Sequence, residues 1–213
     1  MDNTVIFKLA QDNADMTDID RLVNIYHTLS QVLVFGIPGA ILELGCNEGK
    51  TSLFLRMIIN YYSPGRELHV YDSFAGLPVK SEFDTYSNTG ECRANVQQLE
   101  ENFREWNLQL PIVHKGWFRE TLSYAVPDPV AFAYLDSDYY KSILESLEYV
   151  YPHLSKNAIV VIDDYCDLAR NPRAWSGLAG VKKACDLFFA DKPEKISVLV
   201  GSKDMPMGYF RKQ

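Results

Sequence analysis

The chain predicts an α/β fold, a doubly wound and mostly parallel seven-stranded sheet with an antiparallel edge strand, on three observations. Short runs rich in Val, Ile and Leu alternate with segments whose apolar residues recur at helical spacing. The first run, Ala40-Ile-Leu-Glu-Leu44, enters its helix through a glycine turn, Gly45-x-x-x-Gly49. Two later runs each end in acids, Asp136 with Asp138 and Asp163 with Asp164.

Taken in order, a polar lead gives way at Thr17 or Asp18, either of which can cap a helix carrying Ile19, Leu22, Val23, Tyr26, Leu29 and Leu33. This N-terminal helix, about 17–35, ends near Gly36-Ile-Pro-Gly39. After the first strand and its turn, Leu53, Phe54, Met57, Ile58 and Tyr61 mark a second helix that Ser63-Pro-Gly65 stops. The second strand is Glu67–Asp72. Residues 73–92 carry no periodic signal; a loop this long in a compact domain is a lid or a disordered surface segment, and a lid is expected here. Val96, Leu99, Phe103 and Trp106 describe the next helix, and Pro111–Lys115 a third strand running into Gly116-Trp117-Phe118. The fourth strand, Val130–Leu135, is followed by a helix on Ile143, Leu144, Leu147 and Val150 that Pro152 closes. The fifth, Ala158–Ile162, is nearly all β-branched, as a strand buried on both faces should be. An irregular stretch, Cys166–Ser176, precedes a last helix on Val181, Ala184 and Phe188, and Ile196–Val200 with Gly208–Arg211 reads as a closing hairpin.

With 213 residues and no sharp shift in composition, residues 1–213 read as a single domain. An apolar content of 47% supports a substantial core, and a net charge of -7 argues against nucleic acid as a partner. Cys46, Cys92, Cys166 and Cys185 lack C-x-x-C spacing, which fits thiols in a reducing compartment better than a disulfide frame or a zinc site. No apolar run reaches membrane-spanning length and Met1-Asp-Asn-Thr4 is no secretion leader, so a cytoplasmic protein without membrane partners is expected.

A strand that enters a helix through glycines lets the backbone approach a ligand, and the unpaired N–H groups of the first helical turn favour anionic or polar oxygens. Three nucleotide motifs compete for this turn. A P-loop needs four residues between its glycines, and Gly45 to Lys50 is one short; a dinucleotide fingerprint needs Gly at position 47, which is Asn. What fits is Glu43-x-Gly45-x-x-x-Gly49, which resembles the first motif of the class I S-adenosylmethionine (SAM) methyltransferases, although a glycine turn also joins strands to helices where no ligand binds. Asp72, at the end of the second strand, stands where such sheets place an acid for ribose hydroxyls, although a strand-ending Asp also serves as a turn former or helix cap. Trp117 and Phe118 suit either a cofactor wall or the core, and His114 reads as structural.

Asp136, Asp138, Asp163 and Asp164 meet beside the ligand crevice if their two strands are neighbours. Carboxylates packed there repel and their pKa values rise unless a cation is present; all-oxygen ligands select a hard ion, Mg²⁺ first, with Ca²⁺ or Mn²⁺ as alternatives. Asp138 is also in position to cap the helix that follows it. The chemistry that needs such a cluster is removal of a proton from a hydroxyl.

In order along the chain, Gly36-Ile-Pro-Gly39, Tyr71-Asp-Ser-Phe-Ala-Gly-Leu-Pro78, Gly116-Trp-Phe-Arg-Glu-Thr-Leu122, Leu135-Asp-Ser-Asp-Tyr-Tyr140, Leu147 through Tyr151-Pro152, and Ile162-Asp-Asp-Tyr165 resemble the macrocin O-methyltransferase (TylF-like) family over about residues 17–190. The resemblance implies a class I, Rossmann-like fold, SAM as methyl donor, a Mg²⁺-type ion and a hydroxyl acceptor on a sugar or glycosylated natural product. Carried over, Asp136, Asp163 and Asp164 hold the metal and Asp138 is the base. Glu43, Gly45 and Asp72 hold SAM, with Cys46, Asn47, Gly49, Thr51, Ser73, Phe74, Trp117 and Asp136 beside it. The first motif departs from the family's usual bulky run, which leaves the acceptor and the oligomeric state open, with a homodimer as the candidate. Two other functions stay open: a metal-dependent sugar-nucleotide glycosyltransferase built on Asp136-Ser-Asp138, and a non-catalytic nucleotide-binding protein. Acceptor specificity is expected in the loops at 73–92 and 165–176.

Overall fold

The structure, a computed structural model, describes residues 3–12 and 16–213; the reading made of Met1–Thr4 falls partly outside them. Among the described residues there are seven strands: β1 (Ala40–Leu44), β2 (Leu68–Asp72), β3 (Ile112–Lys115), β4 (Val130–Leu135), β5 (Leu154–Asp163), β6 (Ser197–Leu199) and β7 (Met207–Arg211). They form one sheet in the order β3-β2-β1-β4-β5-β7-β6. β1 to β5 pair in parallel. Antiparallel pairing is confined to the carboxyl-terminal edge, as expected, and within it β7 is the reversed strand, lying between β5 and β6.

The α-helices of the described residues surround the sheet: α1 (Asn3–Asp12), α2 (Ile19–Val34), α3 (Lys50–Tyr62), α4 (Val96–Glu105), α5 (Phe118–Ala125), α6 (Tyr140–Val150) and α7 (Ala179–Phe188). Asp18 caps α2, accepting the Arg21 N–H at 2.9 Å. Helices α1 and α5 carry no legible periodic signal, because ten and eight residues are shorter than the window in which a helical repeat can be read. Among the described residues no helix is long and apolar enough to cross a membrane.

Alternation along each buried strand divides the core in two. Ile41, Phe132, Tyr134, Ile159 and Val161 face α2 and α3, where Ile25, Leu29, Phe54 and Ile58 are fully buried. Leu42, Leu44, Ala133, Leu135, Val160 and Ile162 face α6 and α7, against Ile143, Leu147, Val181 and Ala184. Burial on both faces is the physical reason the central strands read as continuous apolar runs. Since α3 follows β1 on one face and α6 follows β4 on the other, the crevice between their first turns opens at the carboxyl ends of β1 and β4.

Candidate active site

The mouth of the crevice depends on a close approach of two backbones. The Asp136 N–H donates to the Leu44 carbonyl and the Gly45 N–H to the Tyr71 carbonyl, each at 2.8 Å. Gly45 lies at φ +93°, and a Cβ there would overlap the Asp136 carbonyl oxygen, so no other residue fits without parting the strands. Beyond it lies a cavity of about 730 Å³, within the ~300–1,000 Å³ typical of small-molecule sites.

Of the residues expected around a cofactor, Glu43, Gly45, Cys46, Asn47, Thr51, Asp72, Ser73, Trp117 and Asp136 line this cavity. Gly49 and Phe74 do not. Gly49 serves conformation, holding φ +76° at the start of α3 against Leu99. The Phe74 ring is buried in the core, and its N–H donates to Asp72 Oδ1 at 2.6 Å. The other oxygen of Asp72 accepts the Asn47 N–H at 2.8 Å, so this acid ties the glycine turn to the end of β2 and caps no helix. Burial raises its pKa in spite of the two N–H groups.

Glu43 is only 1% exposed and accepts a short hydrogen bond from the Ser52 hydroxyl. Burial pushes its carboxyl up to about 8, against the Ser52 bond that lowers it, and Asp72 adds repulsion. Trp117 is 41% exposed in the cavity wall, which excludes a core role for it; Phe118 also lines the wall while touching the core. His114 is structural: it stacks on Tyr71 at 4.3 Å and bonds His69 at 3.0 Å, and burial with His69 beside it holds its pKa down at about 4.

The acids at the ends of β4 and β5 converge in part. One carboxylate oxygen from each of Asp136, Asp138 and Asp164 lies within 4.8 Å of the others. A turn closed by the Tyr139 N–H on the Ser137 carbonyl at 2.6 Å, with Asp138 at φ +58°, brings Asp138 beside Asp136. Asp164 is likewise left-handed, at φ +55°. Asp163 is engaged elsewhere: it accepts from the Tyr134 hydroxyl at 2.7 Å and from Arg21 Nε at 2.9 and 3.0 Å. The three grouped carboxylates are Asp136, Asp138 and Asp164; Asp163 lies beside them with its oxygens occupied by Arg21 and Tyr134.

Burial, followed by repulsion from Asp163 and Asp138, holds Asp136 and Asp164 well above the usual carboxylate range. Burial also lifts Asp138 to about 6, with Asp163 and Asp72 adding to it. This all-oxygen donor set could hold a hard divalent cation, whose charge would relieve the repulsion.

Several residues of the site had no motif to announce them. Arg21, from α2, bonds Asp163 and also Asp164 Oδ1 at 3.1 Å. Burial works against its charge, and the attraction of both acids overrides that, so its pKa is raised. Gln11, Asp12, Met16 and Thr17 wall the cavity beside Lys50, whose ammonium donates to the Asp12 carbonyl at 2.9 Å. The arms of the 73–92 loop contribute Ser73, Gly76, Leu77, Pro78, Val79 and Cys92. The 165–176 segment is absent from the wall and touches the other loop instead, Trp175 packing edge-on against Tyr86 at 4.9 Å.

Comparison with known proteins agrees with this geometry. The chain is 32% identical over 161 residues to an 8-demethyl-8-(2,3-dimethoxy-alpha-L-rhamnosyl)-tetracenomycin-C 4'-O-methyltransferase of Streptomyces olivaceus, covering 70% of this chain and 62% of that one. It is 30% identical to the mycinamicin III 3''-O-methyltransferase of Micromonospora griseorubida, covering 71% and 65%. It thus spans somewhat less than two thirds of the length of these curated relatives. Among solved structures, the O-methyltransferase NovP superposes with a TM-score of 0.77 at 26% identity, over 92% of this chain and 81% of that one. The sequence profile described as macrocin-O-methyltransferase (TylF) matches residues 10–184, a span that holds the glycine turn and both acid pairs, and the chain belongs to that family.

Proposed function

We propose that this protein transfers a methyl group from SAM to a hydroxyl on a sugar or glycosylated natural product, with Mg²⁺ assisting loss of the hydroxyl proton. The observation that carries the reading is the meeting, at one crevice, of the glycine turn with Glu43 and Asp72 on one side and Asp136, Asp138 and Asp164 on the other. Relatives named as O-methyltransferases of rhamnosylated tetracenomycin and of mycinamicin III support the substrate class. Family membership weighs against the glycosyltransferase reading of Asp136-Ser-Asp138.

In this reading Glu43, Asp72 and the backbone of the Gly45–Asn47 turn hold the methyl donor, and Trp117 shields it from water. Asp136, Asp138 and Asp164 would hold the ion, which when bound lowers the pKa of an acceptor hydroxyl and orients it. Asp138 accepts the hydroxyl proton as the acceptor oxygen bonds to the methyl carbon and the carbon–sulfur bond breaks, leaving S-adenosylhomocysteine. Alignment of oxygen, carbon and sulfur by the rigid strand ends is an effective-concentration gain of several kcal/mol, on the order of 7–11 in the best cases.

The test is a screen of glycosylated metabolites with labelled methyl donor, with Asp138→Asn alongside. Turnover by the wild type, abolished by the substitution while S-adenosylhomocysteine still binds, is the expected result. Calorimetry detecting no S-adenosylhomocysteine binding, with or without Mg²⁺, would end the reading.

A further inference from the structure

We propose that Asp84 is a positioning residue: it caps α6 from outside and thereby leaves Asp138 at liberty to face the cavity. The inference rests on the reading of Asp138 given above. Helix α6 begins directly after Asp136-Ser-Asp138-Tyr139, and its N-cap residue, Tyr139, makes no side-chain cap bond. An aspartate two residues ahead of such a start can turn its side chain onto the N–H two residues on, and Asp138 stands at that position. Here the Tyr140 N–H donates instead to Asp84 Oδ1, at 2.8 Å, from the middle of the 73–92 loop.

Asp84 is built into this place. It is 6% exposed, and its second oxygen accepts the Ser81 N–H at 2.8 Å and the Ser81 hydroxyl at 2.5 Å. There is room for it because Gly180, near the start of α7, has no side chain: a Cβ there would overlap Asp84 Oδ1 and lie 3.1 Å from the Tyr140 nitrogen. Phe83 packs on the Tyr140 ring at 4.8 Å, and the Tyr139 hydroxyl donates to the Tyr86 carbonyl at 3.3 Å. The loop expected to act as a lid is therefore anchored at its centre while its two arms wall the cavity. One carboxylate couples the seating of that loop to the direction in which Asp138 points.

The test is a double-mutant cycle in thermal unfolding of the metal-free full chain. In the wild-type background Asp138→Ala costs the helix no cap bond, because Asp84 supplies it. In an Asp84→Ala background Asp138 has moved onto the Tyr140 N–H, so the same substitution lowers Tm, by about 2–4 °C. Asp84→Asn, which can still cap, behaves as wild type, and Gly180→Ala, which displaces Asp84 from the other side, behaves as Asp84→Ala. Mn²⁺ titration reads the consequence: about fivefold or more weaker binding in Asp84→Ala, with S-adenosylhomocysteine affinity unchanged. Equal Tm shifts from Asp138→Ala in both backgrounds overturn the proposal. A wild type that takes up no Mn²⁺ removes the metal reading instead, and the thermal cycle still decides the cap.

Discussion

Arg21 Nε donates to both carboxylate oxygens of Asp163, at 2.9 and 3.0 Å, and thereby ties the end of β5 to α2. The same guanidinium reaches Asp164 at 3.1 Å and Asp18 at 3.3 Å, so one buried cation stands against an otherwise acidic strand end. Removing one partner of a buried pair leaves a charge uncompensated, at a cost of about 3–5 kcal/mol. Arg21→Met is expected to destabilise the metal-free protein by that order, and added Mg²⁺ to recover more stability in the variant than in the wild type. Thermal unfolding with and without Mg²⁺ measures both, and an unchanged Tm in the variant contradicts the role.

The carboxylate grouping makes a separate prediction about the ion. Asp136→Asn and Asp164→Asn should each weaken Mn²⁺ binding by more than about tenfold. Asp163→Asn should weaken it less, since its side chain points to Arg21 and Tyr134 and Asn keeps an acceptor for them. Calorimetric titration of the three variants ranks them, and a larger loss at position 163 than at 164 restores Asp163 to the ligand set.

Glu43 sets a pH dependence of stability whose sign is unusual for a carboxylate. Its folded-state pKa, about 8, lies above the ordinary value of 4.5, so between those values the folded protein binds a proton that the unfolded chain does not. Stability from this group is present below the lower value and is lost as pH rises through about 8. Metal-free protein should therefore gain Tm as pH falls from 8 towards 5, and Asp136, Asp138 and Asp164, all raised, act in the same direction. Glu43→Gln should raise Tm at pH 8 and weaken S-adenosylhomocysteine binding; a Tm that is flat in the wild type over this range excludes the mechanism.

Gly45→Ala should be among the most damaging single substitutions in the chain. It combines a left-handed backbone with a collision against the Asp136 carbonyl, and both push β1 away from β4 at the crevice. A loss of more than about 2 kcal/mol is expected by chemical denaturation. Any soluble variant should bind S-adenosylhomocysteine poorly, and near wild-type stability would show that the strand ends are less tightly apposed than described.

Much of the site was legible because its chemistry is written in contiguous residues. β1 and β4 coincide with their expected spans, and β2, β3, β6 and β7 differ from theirs at the ends alone. β5 begins earlier than its β-branched run, because a register shift after Val130 lets Leu154 pair ahead of an exposed stretch. Trp117 was ambiguous for a physical reason: an aromatic ring suits the core and a ligand wall equally, and exposure alone separates them. The cavity walls from α1 were illegible, since Gln11 and Asp12 are ordinary polar residues until the fold brings them to the wall, Asp12 against Lys50.

By itself the sequence determined the alternation of strands and helices, the glycine turn between the first strand and its helix, and the placing of acids at the ends of two strands. These follow from local rules, namely apolar periodicity, backbone conformation and which residue ends a strand. Only the tertiary structure decided which of those acids share a centre. Arg21 holds Asp163 and Asp84 takes the Tyr140 N–H, contacts between residues far apart in the chain that no local spacing can encode.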